Sequence, residues 1–160
     1  MTAALAGTSA CSVNNPFSSA ETPAREAVRD LAPDVAVAVE AVTAIRATER
    51  LVEAVVRRHP RLRGRFQGLL DMHAAHLRRL VDAVPERVDT TGARQPPPVL
   101  EDRDAAHEQV LDGEQRLHDR LAGLAMRAES GAFARLLGAV AASISQHAVA
   151  SSGHHVGVQA

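Results

Sequence analysis

The chain has no tryptophan and no tyrosine, and only three phenylalanines in 160 residues. Strands favour aromatic and β-branched side chains. An apolar share of 46% drawn mostly from Ala, Leu and Val therefore excludes a β-sandwich and suits the thin space between close-packed helices. Lysine is missing altogether, so that all basic residues are arginine, which reads as a coding bias more than as chemistry. A net charge of −1 leaves no global field to recruit nucleic acid or an anionic lipid surface. The local run Arg57-Arg58-His59-Pro60-Arg61-Leu62-Arg63-Gly64-Arg65 lacks interleaved aromatics and straddles a helix–helix turn. It is expected to be a solvated corner and not a nucleic-acid surface. Long apolar runs are also absent. The least charged helical stretch, Leu136 to Ala150, includes Ser143, Ser145, Gln146 and His147 and falls short of the ~20 residues a membrane span needs. A single cysteine, Cys11, excludes an intrachain disulfide.

What is present is helical periodicity over one domain's length of chain. Residues 1–33 are rich in Ser, Asn, Thr and Pro and read as a leader or linker, with a short helix between Glu21 and Leu31. Asp34 is expected to cap a first long helix that continues to about Arg58, with apolar positions 35, 39, 42, 45, 49, 52 and 56 as one stripe. Pro60 suits the first turn of a second helix, which should reach Ala83. The Pro-rich stretch Val88 to Pro98 is the one long connection, able to carry the chain along the length of a bundle. Glu101, Asp102 and Asp104 favour the start of a third helix, expected to end near Ala128. Ser130-Gly131 is a turn and the fourth helix should run from about Ala132 to Val149. The domain is thus expected to span residues 34–150, with a disordered tail over 151–160 that contains His154 and His155. The expected fold is all-α: two antiparallel hairpins joined by a long crossover, the connectivity of ferritin-like four-helix bundles.

Each helix carries a polar group on its apolar stripe. Glu49 lies between Ile45 and Val52; His73 follows Phe66 and Leu69, with His76 at its flank. Glu114 follows His107 and Val110, and His147 follows Val140 and Ile144. Glu49 and His73 stand at comparable distances from Pro60, and Glu114 and His147 at equal distances from the Ser130-Gly131 turn, so each pair should face across its hairpin. A buried carboxylate needs a cation or a hydrogen-bond partner. Convergence of Glu49, His73, His76, Glu114 and His147 would offer oxygen and imidazole nitrogen donors suited to Fe, Mn or Zn. The alternative is a set of Glu–His and Glu–Arg hydrogen bonds drawing on Arg46, Arg50 or Arg116.

Small residues from Leu5 to Ala10 precede Cys11, and the polar Ser12-Val13-Asn14-Asn15-Pro16 follows it. That setting matches the end of a bacterial lipoprotein signal, but without a basic segment and an apolar segment upstream. Either translation starts before Met1, and the product is an envelope protein anchored through a lipidated Cys11, or Cys11 is an ordinary residue in the tail of a cytoplasmic protein.

The stretches Ala47-Thr48-Glu49-Arg50-Leu51, Arg58-His59-Pro60-Arg61-Leu62, His73-Ala74-Ala75-His76-Leu77 and Phe133-Ala134-Arg135-Leu136-Leu137-Gly138-Ala139-Val140 with Gln146-His147-Ala148 resemble the ferritin-like domain proteins of unknown function from actinobacteria. The resemblance covers residues 34 to 150. It implies a ferritin-like bundle and, since members are often exported lipoproteins, agrees with the lead into Cys11. Di-iron relatives of the fold use a Glu on each of two helices and Glu-x-x-His on each of the others. Against that pattern Glu49 and Glu114 match the single carboxylates, while His73-x-x-His76 and Ile144-x-x-His147 stand where Glu-x-x-His is expected. The resemblance therefore implies a degenerate or partial metal site, and the expected role of the bundle is non-enzymatic or unknown. The other expectations are a metal-binding oxidase or metal-storage protein, and a helical interaction module that pairs with a second copy as a homodimer. No residue assigns a reaction.

Overall fold

Pro60 sets the first corner. It lacks an N–H and disfavours helical backbone in the residue before it, and His59 accordingly leaves the helix at φ −123, ψ 77. The computed structural model describes residues 34–83 and 98–152. Over these it contains four α-helices: α1, Val35–Arg58; α2, Arg63–Ala83, entered through a short 3-10 turn at Pro60–Leu62; α3, Arg103–Arg127; and α4, Gly131–Ser152. The expected short helix at 21–31, the lead into Cys11, most of the Pro-rich connection and His154-His155 lie outside the described residues.

Local chemistry accounts for the remaining ends. The Asp102 carboxylate accepts from the backbone N–H of Ala105 at 2.8 Å, an N-cap on α3 that satisfies a donor with no partner inside the helix. Ser130 does the same for α4 through Phe133, at 3.3 Å. Asp34 behaves differently from the expected cap. It stands at the N-cap position of α1 but makes no side-chain bond to that helix. Its carboxylate instead accepts from the N–H groups of Glu129 at 2.8 Å and Ser130 at 2.9 Å. One buried side chain thus ties the start of α1 to the turn between α3 and α4. The fourth helix also outruns its expected end at Val149, because Ser151 is buried and the Ser152 hydroxyl donates back to the Val149 carbonyl at 2.8 Å.

Side-chain pairs give the helix directions. Glu40 near the start of α1 meets Arg127 at the end of α3, and Arg58 at the end of α1 meets Glu101 before the start of α3, so α1 and α3 run antiparallel. Phe66 stacks on His107 and His73 bonds to Glu114; the two helices advance together, so α2 and α3 run parallel. α1 packs on α2 and α3, and α4 packs on the same two. α2 and α3 therefore face each other across the axis of the bundle, and the chain between them joins opposite ends.

The core is aliphatic. Val42, Ile45, Leu69, Leu80, Leu117, Leu121, Leu137 and Val140 are all buried, as the apolar stripes require. Phe66 and Phe133 are the largest fully buried side chains, each contributing about 1.5–3 kcal/mol by leaving water. On α1 the buried face keeps Val42, Ile45, Val52 and Val56 of the expected stripe and extends to Ala38, Ala41, Thr48 and Val55, so that its centre is rotated from that stripe. Small side chains there let the neighbouring helices approach, and the half-buried flank falls to Val35, Val39 and Glu49.

Candidate functional site

The only pair of polar side chains fully shut off from solvent among the described residues is His73 on α2 and Glu114 on α3, both at 0% exposure. His73 Nε2–H donates to Glu114 Oε1 at 2.9 Å. Because α2 and α3 are diagonal partners, this bond spans the axis of the bundle, where no water competes for either group. Leu69, Val110 and Leu117 on the same two helices are buried on either side. Two polar atoms of the pair, His73 Nδ1 and Glu114 Oε2, are buried with no hydrogen-bond partner among the described residues.

The other polar groups on the stripes do not join this pair. Glu49 is half-buried and accepts from Arg46 on its own helix at 3.0 Å. It faces α2 in a shallow groove beside Ala74, Leu77 and Arg78. It does not bond to His73, because rotation of the α1 face through Thr48 moves residue 49 to the flank. His147 is exposed, and its Nδ1–H donates to the Ser143 carbonyl at 3.0 Å. It lies at the edge of the α4 stripe, over a groove between α2 and α4 that His76 also lines, and it does not reach Glu114. His76 is buried at its ring, with Nδ1 unpartnered. Burial, then the neighbouring charges of His73, His147 and Arg79, lower its pKa from the ordinary 6.5 to about 4. The five sequence-stripe residues thus separate into a closed pair, a groove pair of His76 and His147, and an isolated Glu49. Among the described residues no three His, Cys, Asp or Glu side chains are grouped so as to hold a metal ion.

From sequence, His107 had no role and Asp34 only that of a helix cap, yet both are buried. His107 stacks on Phe66 with ring centroids 5.5 Å apart and planes 16° from parallel, and its Nε2 lies 3.4 Å from Arg65. Its place on the α3 stripe was the available signal. Asp34 offered none beyond helix capping, because its partners stand far along the chain. Comparisons with protein-family models, curated proteins and solved structures find no match.

A general acid or base must reach the proton it moves, and the His73–Glu114 pair is closed on all sides. What the pair can do is fix the register of α2 against α3. Each group is costly to bury alone, and each satisfies one polar atom of the other.

Proposed function

We propose that the chain is a ferritin-like four-helix bundle in which the metal centre is reduced to the His73–Glu114 pair, and that the protein acts by binding and not by catalysis. The direct 2.9 Å hydrogen bond between two side chains at 0% exposure carries this reading, since the bond occupies one donor atom of each residue, Nε2 and Oε1, and turns the two groups to each other. Antiparallel α1 and α3 with parallel α2 and α3 support the ferritin-like topology, in which a long connection separates two hairpins. The residues do not fit the di-metal set of that fold. A carboxylate would be needed where Ile144 is fully buried, Glu49 is engaged by Arg46, and His147 is turned to the surface.

Metal content of protein purified without a histidine tag tests the reading. Well under one Fe, Mn or Zn per chain is expected, and no rise in melting temperature on adding these ions, since an ion bound by the folded state alone would stabilise it. One tightly held ion per chain, lost in His73→Leu, would overturn it.

A further inference from the structure

A groove of about 570 Å³ runs between α1 and α3 on the outside of the bundle. Its polar wall is formed by Thr43, Arg50, Arg116 and Arg120, and its apolar part by Ala47, Leu51 and Leu117. Gly113 lies among them: a Cβ at that position would come within 3.1 Å of Leu51 Cδ2. The missing side chain makes room for Leu51 and lets α1 pack closely on α3 at the floor of the groove.

The charges along this groove are unequal to one another. Arg120 lies 3.6 Å from Glu40, but Glu40 is already held by Arg127, which donates to both carboxylate oxygens at 3.1 Å. Those hydrogen bonds are the main reason the Glu40 carboxyl titrates below its ordinary range. Among the described residues Arg50 has no such partner. Its Nε and Nη2 are buried without a hydrogen bond among the described residues, and leaving charged donors unsatisfied out of water is costly. Thr48, on the same wall, donates its hydroxyl to the Ala44 carbonyl at 3.3 Å and makes no hydrogen bond to Arg50 Nε or Nη2. Among the described residues, three guanidinium groups therefore line one groove that no carboxylate lines, and the Glu40 beside Arg120 is engaged by Arg127. The forked N–H pattern of arginine matches the oxygens of a phosphoryl group, and the adjacent apolar surface would cover a hydrocarbon attached to it.

We propose that this groove binds a phosphate monoester carrying a small apolar group, with Arg50 and Arg116 as its principal anchors. The proposal is independent of whether the bundle holds a metal. Titration of the full chain with phenyl phosphate, followed through the arginine Nε–H resonances by NMR, tests it. Saturable movement of the Arg50 Nε–H signal is expected, with inorganic phosphate weaker because it has no apolar part and benzoate weaker because it has less charge and fewer oxygens. Arg50→Met should weaken phenyl phosphate binding roughly tenfold or more, and Arg116→Gln should weaken it less, both with unchanged far-UV circular dichroism. If Arg50→Met fails to fold, the wild-type Arg50 signal still decides the matter. No saturable shift at Arg50, equal affinity for benzoate, or undiminished affinity in a folded Arg50→Met would each overturn the proposal.

Discussion

The centre of the bundle and its flanks treat similar residues in opposite ways. His73 and Glu114 sit at 0% exposure and hold each other across the axis, whereas Glu49 and His147, drawn from equivalent stripe positions, lie at the edge and bond within their own helices. The difference is geometric. Residues 73 and 114 belong to diagonal helices, which meet only at the axis. Residue 49 sits off a face displaced by small side chains, and residue 147 sits at the edge of a stripe that faces α2 as well as α3. A polar group on an apolar stripe is therefore a core group only if the stripe's centre line passes through it.

Substitutions can sharpen that contrast, beginning where the effect should be greatest. His73→Leu strands the Glu114 carboxyl in the core and should cost about 3–5 kcal/mol, measured by urea unfolding. Leu117→Ala, one helical turn along α3 and also buried, should cost about 2–5 kcal/mol through the cavity it leaves, which sets the scale for a purely apolar loss at the same depth. The third test is pH. His76 titrates near 4 in the folded protein against an ordinary 6.5, so between these values the unfolded chain holds a proton that the folded chain refuses. Stability should fall as pH drops through that window and should be indifferent to this group above it. His76→Leu should flatten that part of the profile. Smallest of all, Glu49→Ala and His147→Ala should each change stability by no more than about 0.5 kcal/mol, because a partly exposed pair within one helix contributes little. A large loss from either would place that side chain in the core after all.

Much of the fold was legible in the sequence. Pro60, the acidic start of α3 and Ser130 mark local events, and local chemistry fixes helix ends within about a turn. The core residues from Val42 to Val140 were legible for the same reason, since large aliphatic side chains at helical spacing have few other places to go. The α1 face was misjudged because alanine gives little hydrophobic signal. Ala38 and Ala41 are fully buried, whereas the larger Val35 and Val39 are only half-buried. The candidate site was only half legible. That His73 and Glu114 would be buried followed from their stripes. Their pairing did not, because counting residues from a hairpin turn compares neighbours, and this bond crosses between helices that are not consecutive neighbours in space. Asp34 was opaque for a related reason: its hydrogen-bond partners, Glu129 and Ser130, are brought to it only by the completed bundle. Arg50 could be named as a source of Glu–Arg bonds, but only the assembled groove shows that its Nε and Nη2 lack them among the described residues.

The double-substitution cycle on the central pair tests the account most directly. Unfolding free energies would be measured for the wild type, His73→Leu, Glu114→Met and the variant carrying both. Each single substitution leaves one polar group buried without its partner, whereas the pair of substitutions removes both and fills the space with hydrocarbon of similar size. The double variant is expected to be less destabilised than the sum of the two single variants, by a coupling of about 1–3 kcal/mol. Losses that simply add, leaving the double variant the least stable of the four, would contradict the account and show that His73 and Glu114 do not depend on each other.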